Sequence, residues 1–310
     1  MHEIQVAVAG HILNERVIFP DHELYPVLGS PAAYSSICLA SLGVDVGVVT
    51  TIGRDFPEAL LRAFDHPRLN RDGIRGGETS TCNELIYNPD GHKTLRFMSR
   101  AEEIGIEHFP DRYLQADLIY VCPMDWEVDG DTIAKLSAGG RRLMADAGGF
   151  GGGTSEKHSV ERSTAALKGL ARYFEVVKAS IEDLEYILGM AEEDYARGAA
   201  EILQAGARVA VVTLGAKGAC VATAQGQRVL PAYLDGSAQF IDPTGAGDCF
   251  AAGFIAKYLE SFDPYESALF GNAVTSYVIE RTGGASLARM PSREIAEARA
   301  EELKKRPARP

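Results

Sequence analysis

Short unbroken runs of apolar and β-branched residues recur along the chain at 4–8, 44–50, 118–121, 142–145, 174–178 and 209–214. Segments with helical spacing lie between them at 32–42, 57–64, 132–136, 181–188 and 194–204. A strand that is apolar on both faces must be covered on both faces, as the strands of parallel sheets are. The alternation therefore predicts an α/β fold, a mostly parallel central sheet with helices on either side. Gly43 and Gly206 follow two of the helical segments in the position of C-caps.

One region breaks this alternation. Residues 81–87 and 93–99 alternate polar and apolar side chains and are joined by Asn88-Pro89-Asp90-Gly91, a strong hairpin turn. Together with 15–19 they form either a small antiparallel sheet of their own or an edge hairpin of the main one. The separate sheet is favoured, because a parallel fold has little use for an isolated half-polar hairpin. The glycine cluster from Gly148 to Gly153 does not match Gly-x-Gly-x-x-Gly and is read as a flexible loop. From Ser292 onward a charged helix leads into a Pro/Arg end. No repeat and no long linker divides residues 1–310, so a single domain is expected.

Composition excludes several partners. With 31 basic against 43 acidic residues the net charge is −12, which repels nucleic acid and anionic membranes. No apolar run approaches the roughly 20 residues of a membrane span. The start (Met1 to Gly10) reads as a first strand and not as a signal peptide. Cys38, Cys82, Cys122, Cys220 and Cys249 are odd in number and lack any Cys-x-x-Cys pair. They argue against zinc and disulfides and fit a reducing cytoplasm, with Cys249 as a buried packing residue.

The chemistry is concentrated in Ile241-Asp242-Pro243-Thr244-Gly245-Ala246-Gly247-Asp248-Cys249-Phe250. Asp242-Pro243-Thr244 makes a turn, and Gly245-Ala246-Gly247 presents nearly bare backbone N–H groups ahead of an apolar helix over 249–259. First-turn amides lack partners and the helix dipole favours negative charge, so such a start accepts anions. Asp248 beside it can take a proton from an attacking hydroxyl while the amides hold a phosphoryl group in transfer. An Asp before a helix is ordinarily an N-cap and a Gly-x-Gly ordinarily a turn, but the whole string is far more restrictive. It points to phosphoryl transfer onto an alcohol. No Gly-x-x-x-x-Gly-Lys-[Ser/Thr] motif is present, which sets aside a P-loop enzyme.

This string resembles the C-terminal signature of the ribokinase-like (PfkB) carbohydrate kinases. Weaker segments follow in the same order: Val6 to Gly10, Leu28 to Ala32, Thr51 to Phe56, Val211 to Gly218, Gly271 to Ala273 and Gly283 to Ala285. The resemblance implies a three-layer sandwich whose small β lid, about 14–20 and 79–100, covers the acceptor and pairs two subunits into a homodimer. It implies ATP-dependent phosphorylation of a sugar, polyol, cyclitol or nucleoside, with Mg²⁺ accompanying the nucleotide. Asp248 becomes the base, and Gly245, Ala246 and Gly247 the anion hole. Glu15, Gly29, Ser30, Tyr34 and Asp242 fall at acceptor positions, and Thr213, Gly215, Gly218, Asn272 and Gly283 at nucleotide positions. Asp183 falls near the metal–phosphate network and acts on it indirectly. Asp242 and Thr244 have a second implied role in binding substrate or a monovalent cation, which leaves activation by K⁺ open.

Several residues depart from the family pattern. Glu15 stands for its usual Asp, Ser30 for its second N-terminal glycine and Tyr34 for its usual Asn, while Ser180 and Asp183 are shorter versions of Asn-x-x-Glu. The changes at Ser30 and Tyr34 fall in the implied sugar pocket and put ribose and fructose in doubt. The segment from Gly29 to Ser36 is similar to a branch that includes inositol kinases, which favours polyols or cyclitols. A catalytically idle sugar- or nucleotide-binding protein and a hydride-transfer enzyme are the alternatives. The retained Asp248 and glycines argue against the first, and the missing dinucleotide fingerprint against the second.

Overall fold

The computed structural model describes residues 3–88, 93–153, 155–157, 159–233 and 240–305. The expected hairpin turn at Asn88 to Gly91 and the Pro/Arg end therefore fall partly or wholly outside the described residues. In chain order the strands are β1 (Val6–Ala9), β2 (Leu13–Ile18), β3 (Glu23–Gly29), β4 (Val46–Gly53), β5 (Leu69–Gly77), β6 (Cys82–Tyr87) and β7 (Lys93–Ser99). They continue with β8 (Leu118–Val121), β9 (Arg142–Asp146), β10 (Val176–Ser180), β11 (Val209–Thr213), β12 (Ala219–Thr223) and β13 (Gly226–Leu230). The helices are α1 (Pro31–Ser41), α2 (Glu58–Leu61), α3 (Gly130–Ala138), α4 (Val160–Leu170) and α5 (Ile181–Leu188). After these come α6 (Tyr195–Gln204), α7 (Ala246–Ser261), α8 (Pro264–Val278) and α9 (Arg293–Lys305).

The large sheet has nine strands in the order β13-β12-β11-β10-β9-β8-β1-β4-β5. It is parallel from β5 to β11 and closes with the antiparallel β12 and β13. The central β1 and β8 are buried along their whole length, as their unbroken apolar runs require. One face carries α1, α7, α8 and α9, which bury Ile37, Phe254, Val274 and Leu303. The other carries α3, α5 and α6, which bury Ile133, Leu184 and Ile202, with α4 packed alongside through Leu167 and Leu170. This is the expected three-layer α/β sandwich. Helices α1 and α7 face each other inside the first layer and are apolar nearly all round.

The second sheet is β3-β2-β6-β7. Two antiparallel pairs, β2–β3 and β6–β7, meet along a parallel β2–β6 seam, with Glu15 opposite Asn83. It is the expected separate small sheet, enlarged by β3. No helix among the described residues is long and apolar enough to cross a membrane.

Candidate active site

Strands β9, β10 and β11 end at Asp146, Ser180 and Thr213, and all three residues line one cavity of ≈ 420 Å³. Clefts beyond the carboxyl ends of parallel strands are where α/β sheets place ligands. The small sheet roofs the cavity with Glu15, Leu85, Tyr87 and Leu95, and the loop from Pro243 to Asp248 forms its floor. The roof is tied to the floor, because the hydroxyls of Tyr87 and Thr244 lie 2.6 Å apart.

Helix α7 begins at Ala246, earlier than its apolar run suggested, so Asp248 sits in its first turn. Gly245 caps it at φ 75°, and a Cβ there would lie 2.5 Å from the ring of Tyr34. Both the left-handed backbone and the aromatic floor exclude a side chain at this position. Thr244 N–H donates to Asp242 Oδ1 at 2.9 Å, which shapes the turn into the helix. The Ala246 N–H differs from expectation: it donates to the Pro243 carbonyl at 3.0 Å and is engaged within the turn. Gly247 and Asp248 follow in the first turn, where a helix supplies no acceptor of its own for the backbone N–H groups. Both line the cavity.

Lys178 was not anticipated. Its ammonium is 2.8 Å from Asp146 Oδ2, with both side chains almost fully buried. A Cβ on Gly247 would stand 3.1 Å from Lys178 Nζ, so the bare glycine lets the ammonium lie against the helix start. Burial opposes this charge, but the carboxylates of Asp146, Asp183 and Asp248 outweigh it and hold the lysine pKa above its ordinary value. The lysine is therefore a cation at neutral pH. Asp146 is itself braced by Gly148 N–H at 3.1 Å and the Tyr120 hydroxyl at 3.3 Å. The sequence signal for Lys178 was a lysine inside a run otherwise suited to a buried strand.

Asp183 closes a capping box at the start of α5, accepting from Ser180 N–H at 2.7 Å and returning its own N–H to Ser180 Oγ at 3.0 Å. Its other oxygen accepts from Gly153 N–H at 2.8 Å. Both carboxylate oxygens thus have backbone partners, although Asp183 and Glu182 line the cavity. Among the described residues no cluster of three or more His, Cys, Asp or Glu could cage a metal. These acidic groups fit a Mg²⁺ that arrives on a nucleotide's phosphates and keeps its waters.

The glycine cluster is not a flexible loop. Residues 147–152 are buried, and Cβ atoms on Gly149, Gly151 and Gly152 would meet Pro123 O, Ser163 Oγ and Asp183 Oδ1. These glycines permit close packing behind the cavity, the other physical use of a missing side chain.

Glu15, Ser30 and Tyr34 line the cavity, while Gly29 supports them from behind, where a Cβ would lie 2.6 Å from Glu15 Oε2. Ser30 caps α1 at φ 104°, its Oγ accepting from Ala33 N–H at 3.0 Å. Thr213, Gly215, Gly218 and Asn272 are also on the cavity wall. Asn272 holds the end of β13 through Leu230 O at 3.2 Å and Pro231 O at 3.0 Å. Gly218, at φ 100°, turns into β12 where a Cβ would strike Leu230 O. Gly283 and Asp242 stand apart from the cavity wall, against Arg289, a buried residue the sequence did not flag. The cavity thus combines a helix start, a carboxylate in its first turn, a buried cation and a polar recess under the small sheet.

Comparison with known proteins adds an independent observation. The model of the pfkB family carbohydrate kinases matches residues 31–291. A cytidine kinase of Thermococcus kodakarensis is 30% identical over 287 residues, 92% of this chain and 99% of that protein. An inositol 3-kinase of Oryza sativa subsp. japonica is 23% identical over 309 residues, covering 91% of this chain and 70% of its own. Among solved structures, Arabidopsis thaliana ribokinase complexed with ribose and ATP shares the fold. It superposes with a TM-score of 0.77 at 18% identity, over 97% of this chain and 99% of that one.

Proposed function

The chain belongs to the pfkB family of carbohydrate kinases, and on that premise we propose that it transfers the γ-phosphoryl group of ATP to a hydroxyl of a nucleoside held under the lid. The observation that carries the reading is Asp248 in the first turn of α7, beside the amides of the helix start and within the same cavity as Thr213 and Asn272. The acceptor hydroxyl binds near Asp248, between that helix start and Glu15. Asp248 is far too weak a base to form free alkoxide, so it accepts the proton as the phosphoryl group moves. The amides of Gly247 and Asp248 and the Lys178 ammonium stabilise the charge on the phosphoryl oxygens. A Mg²⁺ carried in on the nucleotide would supply charge neutralisation at the donor phosphates, with Glu182 and Asp183 on the cavity wall to hold its waters. The Tyr87–Thr244 contact keeps the lid down and water out.

A nucleoside is placed ahead of the cyclitol favoured by the sequence, for two reasons. The lid presents Leu85, Tyr87 and Leu95, an apolar and aromatic surface suited to the face of a base. A relative that matches nearly end to end is a cytidine kinase. Two copies pair through the lid, where Tyr25 and Met98 are exposed, a pairing that sedimentation checks directly.

The test is ADP release from Mg-ATP with cytidine, other nucleosides, inositol and sugars, alongside Asp248→Asn. Turnover on one acceptor class, reduced about 10²–10⁴-fold in the variant without loss of fold, is the expected result. Near-normal turnover by Asp248→Asn removes the base assignment. Ligand binding with no ADP across the whole panel makes the protein a binding module.

A further inference from the structure

Arg289 is among the largest fully buried side chains in the molecule, yet nothing in the phosphoryl-transfer reading uses it. It leaves a short turn behind the floor of the cavity and points its guanidinium at three separate segments. Nη2 donates to the Asp242 carbonyl at 2.9 Å and lies 3.4 Å from Asp242 Oδ2. Nη1 donates to the Gly283 carbonyl and to the Tyr34 hydroxyl, the latter at 3.1 Å. Tyr34 also donates to Gly283 O at 3.4 Å. Those contacts lead straight to the anion loop, because the Tyr34 ring occupies the space beside Gly245 and Asp242 Oδ1 holds Thr244 N–H.

A monovalent cation at Asp242 and Thr244, the role the resemblance leaves open, needs a cage of oxygens that replaces its hydration shell. Carbonyl and carboxylate oxygens are present here, but they converge on a guanidinium. The Asp242 carbonyl and the Gly283 carbonyl each accept from Arg289, and Asp242 Oδ2 faces it. A second cation among the same oxygens would stand beside a buried positive charge with little water to screen it. The residues present do not fit K⁺.

We infer that Arg289 is the fixed cation of this site, a positioning residue that holds Asp242, Gly283 and Tyr34 together and makes the anion loop independent of monovalent cations. Its planar fork suits the task, since it presents several donors in rigid geometry. The turnover part of the test rests on the kinase reading above; the melting part does not.

The experiment compares the wild-type protein in KCl, NaCl and tetramethylammonium chloride at equal ionic strength. The melting temperature is expected to be the same in all three salts, and turnover to differ by less than about twofold. A rise in wild-type melting temperature specific to K⁺, or a tenfold stimulation of turnover by K⁺, overturns the inference. Failure to turn over any acceptor counts against the kinase reading, and the melting comparison still decides this one. Arg289→Met is expected to lose about 10²-fold in kcat with little change in the KM for ATP, because the loop is displaced and not removed. Added guanidinium or K⁺ should restore part of that loss, and Arg289→Lys should retain more activity than Arg289→Met. A folded Arg289→Met enzyme with wild-type kcat in tetramethylammonium chloride overturns the assignment. If Arg289→Met does not fold, the wild-type melting comparison decides the question.

Discussion

Two buried ion pairs flank the loop from Asp242 to Asp248, and they are built differently. In front, Lys178 meets Asp146 at 2.8 Å on the cavity wall. Behind, Arg289 Nη2 meets Asp242 at 3.4 Å and Nη1 is shared between Gly283 and Tyr34. The lysine is a point charge on a flexible stem, able to turn toward a new anion without leaving Asp146 far behind. The arginine is a planar fork whose two terminal nitrogens are already engaged by Asp242, Gly283 and Tyr34. The charge proposed to answer a phosphoryl group faces the cavity; the charge proposed to hold geometry is sealed behind it. Both cost desolvation, so each has to be judged by what breaks when it is removed.

The front pair gives the largest separation of roles. Lys178→Met should lower kcat about 10²–10³-fold, as removal of a charge-stabilising donor does. It should also destabilise the fold by about 3–5 kcal/mol, because Asp146 is left buried without its cation. Adding Asp146→Asn removes the orphaned charge. The double variant should recover most of the stability in denaturant melts and none of the turnover. Recovery of both would make Lys178 a packing residue and erase the distinction between front and back.

Asp242→Asn is the matching break at the back. The amide oxygen can still accept from Thr244 N–H, now at 2.9 Å from Asp242 Oδ1, but the guanidinium loses its counter-charge. A stability loss of about 3 kcal/mol is expected, read as a lower urea midpoint with an unchanged slope. Turnover of the folded protein should fall less than in Lys178→Met. A larger fall in turnover than in the front variant would place Asp242 in contact with substrate.

Legibility in the sequence followed the same line. The signature from Asp242 to Asp248 was readable because local rules apply to it: a turn, bare glycines, a helix start. The buried strands and the hairpin partners 81–87 and 93–99 were readable from periodicity alone. Strand β5 was not, because an edge strand of Leu69 to Gly77 carries Asn70, Arg71, Asp72 and Arg75 and buries only part of one face. Strand β3 was hidden by Pro26 and by its exposed first half. Arg289 left no local trace at all, since its partners lie as far away as Tyr34. The Gly148 to Gly153 cluster misled, because sequence cannot distinguish a glycine that bends from one that makes room.

The lid latch is a smaller effect that joins the two regions. Tyr87→Phe removes the 2.6 Å contact with Thr244 and should cost about 1 kcal/mol. The acceptor KM should rise about fivefold with kcat nearly unchanged, since the lid closes less firmly over intact chemistry. The same tyrosine carries a pH signature. Burial pushes its pKa from 10.0 up to about 12, against the lowering by its Thr244 hydrogen bond. The native state then binds the proton more tightly than the unfolded chain, so this contribution is complete below pH 10.0 and is lost as the pH rises toward about 12. The alkaline fall in stability should be shallower in Tyr87→Phe, and an unchanged slope would mean that the phenol is not held in the fold as described.

Ser30→Gly gives the smallest effect and tests whether backbone strain at the start of α1 supports the loop. Ser30 holds φ 104°, a conformation that an L side chain adopts at a cost of about 1–3 kcal/mol. Glycine removes that cost, loses a few tenths of a kcal/mol with the Oγ cap and about 0.5–1 kcal/mol in chain entropy. The net change should be stabilising by about 1 kcal/mol, a rise of a few degrees in melting temperature. Ser30 starts the helix that delivers Tyr34 to Gly245 and Arg289, so the strain sits on the element that supports the loop. If rigidity of the loop comes from Arg289 and Tyr34, kcat at saturating acceptor will be unchanged in the stabilised variant, and any effect of losing the Ser30 hydroxyl will fall on the acceptor KM. If the strained serine itself sets the loop, kcat will fall while stability rises, and the cavity-lining start of α1 joins Arg289 in holding the loop.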